Sequence, residues 1–275
     1  MLQILDGRKL RDELAPRLIK RISELKTKPK LVIIQIGSLE ESNTYIKTKI
    51  AFADKIGVDV VHKKYAENVR EAEVVSDISK YNGDPSVHGI MVQLPISAKL
   101  NTSQIVEAID EKKDVDGLTA KNTKLIFDNA EAFMPGATKA IFTLLEYYKI
   151  DVAGKKVVIV GESALVGRPT ALAFLNRRAT VTVCHTHTKN LEEETKRADI
   201  LVVAVGKPLL ITEKHVSKNQ VVLDVGITVM ENGKVAGDVD YEKVKNIVKA
   251  ITPVPGGIGP MTIYSLFENL VESCG

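Results

Sequence analysis

The stretch KVVIVGESALVG, residues 156–167, decides how this chain of 275 residues folds. Its β-branched run stops at Gly161, which predicts a buried strand, and the apolar segment after Gly167 predicts a helix. Backbone N–H groups at such a strand-to-helix turn can hold a pyrophosphate, and the Ser163 hydroxyl can add a donor. Because the spacing is GxxxxxG and not GxGxxG, a plain turn between a strand and a helix is the alternative interpretation.

Strands and helices alternate on both sides of this stretch. Downstream, the patterns predict helix 167–178, strand 179–184, helix 190–197, strands 200–206 and 221–226, a hairpin turn at Asn232 and Gly233, helix 241–250 and helix 261–272. Upstream, they predict a helix around Leu10–Leu25, strand 31–37, helix 42–56, strand 58–65, helix 70–80, strand 87–95, helix 102–110 and helix 138–149. This βαβ spacing predicts an α/β fold with two domains, of which the second is Rossmann-like.

Composition excludes several classes of protein. Hydrophobic residues make up 44% of the chain, so disordered proteins and small disulfide scaffolds are excluded. The net charge of +3 is spread along the sequence, which gives no indication of nucleic acid binding. No apolar run is long enough to span a bilayer, and the two cysteines, Cys184 and Cys274, lie far apart, so we expect a cytoplasmic protein in a reducing compartment that does not bind membranes.

Polar residues at the ends of elements are the candidates for chemistry in the first half. Tyr45 and Lys49 are four apart on a predicted helix and share a face, although a surface tyrosine packed on a lysine stem gives the same pattern. Gln93 ends a strand at the sheet edge where ligands bind in open α/β sheets. Asp114 and Asp116 in KKDVDG are either functional carboxylates or turn residues that bond their own backbone.

The strand end CHTHT, residues 184–188, predicts the rim of a dinucleotide site. An NAD enzyme usually places a carboxylate roughly 20 residues after the glycine turn, and no carboxylate precedes Glu192 here. A cationic, hydroxyl-rich rim suits a 2′-phosphate, and the residues that can form it are Arg177, Arg178, His185, Thr186, His187 and Thr188. The two arginines alternatively form a solvated helix end. With no third ligand near the two histidines, we expect no metal site.

The loop TPVPGGIGP, residues 252–260, holds three prolines and three glycines in nine residues. Proline fixes the backbone and glycine allows close approach, so this composition predicts a rigid loop that lines a cleft between the two halves.

Together, SNTYIKTK, GIMVQLP, KKDVDG, GESALVG, ATVTVCHTHT, DVGI, GDVD and TPVPGGIGPMT occur in the order and at the spacing of the bifunctional methylenetetrahydrofolate dehydrogenase/cyclohydrolase family, which the chain resembles over nearly its whole length. The resemblance implies a folate-binding catalytic domain at residues 1–118 and 258–275 and an NAD(P)-binding domain at residues 119–257. It also implies a homodimer that oxidises 5,10-methylenetetrahydrofolate with NADP and hydrolyses the product to 10-formyltetrahydrofolate. That reaction belongs to one-carbon metabolism and purine biosynthesis.

The resemblance further implies roles for individual residues. Lys49 matches the catalytic lysine, Tyr45 the aromatic that stacks on folate, Gln93 the residue that orients the lysine, and Asp116 the carboxylate that holds the pterin. The remaining substrate-binding positions are Leu94, Pro255, Gly256 and Gly257. The cofactor-binding positions are Gly161, Glu162, Ser163, Val166, Gly167, His185, Thr186 and Ile227.

Two positions depart from the family pattern. PGATKA, residues 135–140, stands where the family has PCTPxG, and Glu162 stands where the family has an arginine that meets the 2′-phosphate. We expect NADP from the CHTHT rim, with NAD as the alternative because of Glu162. Two other functions fit less of the sequence: a related dehydrogenase acting on a non-folate acid, and a sensor that binds folate or a dinucleotide without turnover.

Overall fold

The computed structural model describes residues 2–230 and 233–275, which form two compact units. The larger unit comprises residues 1–13 and 135–264, and the smaller unit comprises residues 14–134 and 265–275. The strands are β1 Gln3–Ile4, β2 Lys30–Ile36, β3 Asp59–Tyr65, β4 Gly89–Val92, β5 Lys156–Val160, β6 Thr180–Cys184, β7 Ile200–Val203, β8 Val221–Asp224, β9 Thr228–Val229, β10 Val235–Ala236 and β11 Ala250–Ile251. The helices are α1 Gly7–Ser23, α2 Glu40–Ile56, α3 Glu71–Gly83, α4 Thr102–Glu107, α5 Ala120–Phe127, α6 Gly136–Tyr147, α7 Gly167–Asn176, α8 Leu191–Lys196, α9 Tyr241–Val244 and α10 Ile258–Glu272.

A parallel sheet of six strands organises the larger unit, in the order β1-β11-β8-β7-β5-β6. Every strand pair in it is parallel, and β5 lies between β6 and β7. The middle strands are buried except for Lys156 at the start of β5, which explains their nearly unbroken aliphatic sequences. The chain goes from β5 to β6 on one side and then returns to β7 on the other side of β5, which makes the end of β5 a switch point where open α/β sheets bind ligands. The Rossmann-like prediction is therefore confirmed.

The smaller unit is built on a parallel sheet of three strands in the order β3-β2-β4. β2 is central and its residues Leu31 to Ile36 are all buried. Helix α5 was not predicted, because AKNTKLIF carries apolar residues only at its end. A cap at Thr119, whose side chain accepts a hydrogen bond from the Asn122 N–H, marks where this helix begins.

Two predicted helices need correction. The predicted helix 241–250 ends at Val244 as α9, because Ala250 and Ile251 pair with Val221 and Val222 in the sheet as β11. The final helix begins at Ile258, before the predicted residue 261, because Pro260 falls in the first turn of α10, where a proline is tolerated. At the predicted hairpin, β9 and β10 pair antiparallel, and Asn232 lies outside the described residues.

The compact units also differ from the predicted domain limits. Residues 1–13 belong with the larger sheet, since β1 pairs with β11. Residues 119–134 belong with the smaller unit, where Asn122 Nδ2 donates to Asp114 Oδ2 at 2.9 Å. Residues 258–264 group with the larger unit. Among the described helices, none combines the length and hydropathy needed to cross a membrane.

Candidate active site

Lys49 occupies a core-facing position of α2. The buried residues of this helix recur at steps of three and four, and they are Ser42, Ile46, Lys49, Phe52, Ala53 and Ile56. A lysine thus stands in an otherwise mainly apolar stripe, with only 8% of its surface exposed. The arrangement differs from a surface tyrosine packed on a lysine stem, in which the ammonium stays in water.

The Lys49 amine is held at the carboxyl end of β4. Its Nζ donates to Gln93 Oε1 at 2.8 Å, and Gln93 Nε2 donates to the Leu94 carbonyl at 2.8 Å. The Gln93 N–H donates to the Ile34 carbonyl, which fixes Gln93 beside the central strand. Burial lowers the pKa of Lys49, while the nearby Asp116 carboxylate opposes this shift. A lysine with a lowered pKa gives up its proton more readily than an ordinary lysine, so its neutral amine can accept a proton from a substrate.

The two aspartates of KKDVDG have different surroundings. Asp114 is buried and accepts hydrogen bonds from Leu118 N at 3.2 Å, Thr119 N at 2.8 Å and Asn122 Nδ2 at 2.9 Å, so it is a turn-forming residue. Asp116 has no hydrogen-bonding partner in the part of the chain that the structure describes. Removal from water raises the pKa of Asp116 to about 6, with Lys49 opposing the rise and Asp114 adding to it. Its carboxyl group is therefore available to a ligand with N–H donors.

Tyr45 lies one helical turn before Lys49 and is half-buried. Burial, and secondarily the charge of Glu41, raises the pKa of its hydroxyl, so the ring is neutral at physiological pH. A neutral, partly exposed ring on the face of Lys49 can stack against a planar ligand.

Gln35 is a residue that sequence reasoning missed. It is buried on β2, where its Nε2 donates to Asn43 Oδ1 at 2.7 Å and its Oε1 lies 2.8 Å from His62 Nε2. Asn43 is two residues before Tyr45, so this amide ties the first turns of α2 to the sheet. The available signal was a lone polar residue in the apolar run LVIIQIG.

In the larger unit, Gly161 and Gly167 form the turn between β5 and α7. A Cβ at Gly161 would lie 2.2 Å from the Ala204 carbonyl oxygen, and one at Gly167 would lie 2.1 Å from the Gly161 oxygen. Gly161 also has a φ of +122°, which side chains rarely adopt. Ser163 Oγ accepts from Val166 N at 3.2 Å and Gly167 N at 3.4 Å, which leaves its own proton to donate. The turn thus fits a bound phosphate at the start of a helix of ten residues.

The rim beside this turn is only partly as predicted. His185 and Thr186 are exposed after β6, and the His185 N–H donates to Thr188 Oγ1 at 2.8 Å. Arg177 is exposed directly after α7, as the alternative of a solvated helix end predicts, and its guanidinium also stacks 3.8 Å from the centre of the Phe142 ring. Glu162 is exposed, with its carboxylate 3.9 Å from the Arg168 guanidinium.

The loop after β11 is held by the start of α1. Arg8 N donates to the Gly256 carbonyl at 2.9 Å, and Gly257 N donates to the Pro253 carbonyl at 2.7 Å. A Cβ at Gly7 would lie 1.9 Å from the Gly257 oxygen, so this approach requires glycine. This loop, which contains Pro255, belongs to the larger unit, as does the exposed Ile227. Lys49, Gln93 and Asp116 meet in the smaller unit.

Two family models match the chain. A model described as the tetrahydrofolate dehydrogenase/cyclohydrolase catalytic domain matches residues 5–116, and one described as the NAD(P)-binding domain of the same proteins matches residues 135–275. The bifunctional protein FolD of Nautilia profundicola is 42% identical over 273 residues, covering 98% of this chain and 96% of the relative.

Two solved structures are similar throughout. The bifunctional methylenetetrahydrofolate dehydrogenase/cyclohydrolase FolD of Campylobacter jejuni superposes with a TM-score of 0.97 at 39% identity, covering 100% of this chain and 99% of that chain. The Trypanosoma brucei dehydrogenase-cyclohydrolase, in complex with NADP and an inhibitor, has a TM-score of 0.94 at 27% identity, covering 98% of this chain and 96% of that chain.

Proposed function

Since the chain belongs to the tetrahydrofolate dehydrogenase/cyclohydrolase family, we propose that Lys49, Gln93 and Asp116 are the residues of the smaller unit that act on folate. The protein oxidises 5,10-methylenetetrahydrofolate to the 5,10-methenyl form and hydrolyses this product to 10-formyltetrahydrofolate. The observation that carries the residue assignment is the buried Lys49 amine, bonded to Gln93 and beside Asp116.

Lys49 handles the protons of hydrolysis. When water adds to the methenyl carbon, the neutral amine removes one proton from the attacking oxygen. The resulting ammonium gives this proton to the folate nitrogen as the bond between that nitrogen and the carbon breaks, and the second proton of the water is released to solvent as the formyl carbonyl forms. The lowered pKa of Lys49 supplies the neutral amine, and the bond to Gln93 Oε1 fixes the direction of its remaining protons.

Asp116 holds the pterin. Its carboxyl group has no described hydrogen-bonding partner, and the amino group and ring N–H of a pterin are a matching pair of donors. Tyr45 stacks on the folate rings, while Leu94 contributes apolar and backbone contacts. Burial raises the pKa of the Asp116 carboxyl group, so N–H donors of a ligand would stabilise its ionised form.

The turn at Gly161, Ser163, Val166 and Gly167 holds the pyrophosphate of the dinucleotide, which when bound supplies the hydride chemistry. We assign NADP as the preferred cofactor, with His185 and Thr186 of the rim toward the 2′-phosphate and with Ile227 beside the nicotinamide. The NADP complex of the Trypanosoma brucei protein supports this choice, and Glu162 opposes it because a carboxylate repels phosphate.

Parallel assays of turnover test these assignments. Formation of methenyltetrahydrofolate from methylenetetrahydrofolate is followed with NADP and with NAD, and hydrolysis of added methenyltetrahydrofolate is followed without a dinucleotide. We expect both reactions, with a higher kcat/KM for NADP. A higher kcat/KM for NAD would overturn the cofactor assignment. If neither substrate is turned over, the protein binds its ligands without catalysis.

We also propose a cytoplasmic homodimer that associates through the dinucleotide-binding units. Both cysteines are free, as expected in a reducing compartment, and two-fold dimers are the commonest oligomers of soluble enzymes. Sedimentation at micromolar protein should give twice the mass of the chain. A single species of 30.1 kDa would contradict the dimer.

A further inference from the structure

Two buried carboxyl groups lie in the larger unit, and neither has a role in the chemistry above. Asp224 ends β8 with 3% of its surface exposed, and Asp238 follows β10 with none exposed. A buried carboxylate is costly unless hydrogen bonds or a proton compensate for the lost water, so a close pair calls for an explanation.

The hydrogen bonds to the two groups are unequal. Asp224 Oδ1 accepts from Gly226 N at 3.0 Å and Asp238 N at 3.1 Å, and its Oδ2 accepts from Val239 N at 2.9 Å. Asp238 Oδ2 accepts from Val205 N at 2.7 Å and Gly206 N at 3.0 Å. No donor among the described residues reaches Asp238 Oδ1, although this atom is buried.

Glycines make room for both carboxyl groups. A Cβ at Gly237 would lie 2.0 Å from Asp224 Oδ2, and one at Gly226 would lie 2.2 Å from the carboxyl carbon of Asp238. Burial raises the pKa of Asp224 to about 7, and the neighbouring charge of Asp238 adds to this rise. Asp224 therefore takes up a proton more readily than an ordinary carboxylate, which lessens the repulsion between the two groups.

The backbone that Asp238 holds lies against the phosphate-binding turn. Val205 and Gly206 come two and three residues after the last residue of β7, where strand pairing no longer fixes the backbone. The preceding residue, Ala204, places its carbonyl oxygen 2.2 Å from the position of a Gly161 Cβ. Any displacement of this segment therefore reaches Gly161 directly.

We propose that Asp238 is a positioning residue for dinucleotide binding, which holds the Val205–Gly206 backbone against the Gly161 turn. The inference rests on the proposed function, in which that turn binds the pyrophosphate. Asp238 acts through the backbone and touches neither substrate.

Removal of the carboxyl group tests the proposal. In Asp238→Ala the Val205 and Gly206 N–H groups lose their acceptor, so the KM for the dinucleotide should rise about tenfold or more, while kcat at saturating dinucleotide stays within about threefold. Hydrolysis of methenyltetrahydrofolate, assayed without a dinucleotide, should fall much less than dehydrogenase kcat/KM. Equal losses in both reactions would indicate a general structural role and overturn the proposal.

Asp238→Asn is the rescue variant. Its amide oxygen can accept the Val205 and Gly206 bonds, and its NH₂ can take the place of the unpartnered Oδ1, so the KM for the dinucleotide should return to within about threefold of the wild-type value. An asparagine variant as impaired as the alanine variant would contradict the geometry. Asp199→Ala is the matched control, because Asp199 Oδ2 also accepts a backbone bond in this sheet, from Lys156 N at 2.8 Å, but at the amino ends of the strands. The KM of Asp199→Ala for the dinucleotide should not change.

Gly206→Ala perturbs the same backbone without altering the buried pair of carboxyl groups. This variant replaces Asp238→Ala as the test if Asp238→Ala does not fold. Gly206 has a φ of +66°, and a Cβ there meets no atom within 4 Å, so alanine strains the segment without a clash. The KM for the dinucleotide should again rise. An unchanged KM in either folded variant overturns the proposal, whereas a wild-type protein without dehydrogenase activity would overturn the proposed function instead.

Discussion

Replacement of Lys49 by methionine tests the central chemical role assigned to this protein. Methionine keeps an unbranched stem of similar length in the apolar stripe of α2 and removes the amine that bonds to Gln93 at 2.8 Å. Two effects on the free energy of unfolding oppose each other. A charge no longer has to be buried, whereas Gln93 and Asp116 lose their partner, so the net change should stay below about 2 kcal/mol.

The expected loss of hydrolysis exceeds the change in stability. General acid/base catalysis typically contributes about 10² to 10⁴ in rate, and a loss of 10² corresponds to about 2.7 kcal/mol of transition-state stabilisation. Dehydrogenase turnover should fall less, because hydride transfer depends on positioning and takes no proton from Lys49. Absorbance of the methenyl product follows both reactions, and thermal unfolding checks the fold.

Two further variants separate the charge of Lys49 from its proton. Lys49→Arg retains a positive charge that cannot be deprotonated, so it should be as inactive in hydrolysis as Lys49→Met. Lys47→Met, at an exposed position of the same helix, should hydrolyse at the wild-type rate. A folded Lys49→Met variant with wild-type hydrolysis would refute the assignment, and an active Lys49→Arg variant would reduce the role of Lys49 to electrostatics.

Three other changes have defined outcomes. Folding raises the pKa of Asp116 from 3.8 to about 6, so ionisation of this group destabilises the protein as pH rises between these values. The free energy of unfolding of Asp116→Asn, measured with urea, should therefore rise by up to about 3 kcal/mol relative to that of the wild type between pH 4 and pH 7. A difference that stays constant with pH would place the carboxylate in water. Glu162→Arg should raise the ratio of kcat/KM for NADP to that for NAD about tenfold through a charge-assisted contact, and an unchanged ratio would place the 2′-phosphate elsewhere. Gly89→Ala should lower the free energy of unfolding by about 1 to 3 kcal/mol, since its Cβ would lie 2.7 Å from atoms of both Leu270 and Val115. Chemical denaturation measures this change, and an unaltered free energy of unfolding would mean that these two side chains move aside freely.

The sequence predicted most strands and long helices because their periodicity is strong. It placed Tyr45 and Lys49 on one helix face, but spacing alone could not distinguish a buried amine from an exposed one. The decisive contact is with Gln93, which β2 brings close by pairing with β4 from a distant part of the chain. Such a contact depends on tertiary structure and leaves no local pattern.

The errors have similar physical origins. The helical pattern was predicted to continue to residue 250, yet pairing of Ala250 with Val221 in the sheet overrides it. Helix α5 was missed because its cap at Thr119, and not its hydrophobicity, marks where it begins. Asp224 and Asp238 were noted only as parts of family motifs, since nothing in their separate surroundings shows that the fold buries them together.

The pairing of β1 with β11 bears on how the protein is synthesised. Residues 3 and 4 are translated long before their partners in the sheet, Ala250 and Ile251. The smaller unit also depends on a residue that is translated late, because the centre of the Phe267 ring lies 5.6 Å from that of Phe52. Neither unit is complete before these later residues are translated, so a nascent chain stalled before residue 250 exposes apolar surface in both units, and their folding depends on contacts between residues far apart in the sequence.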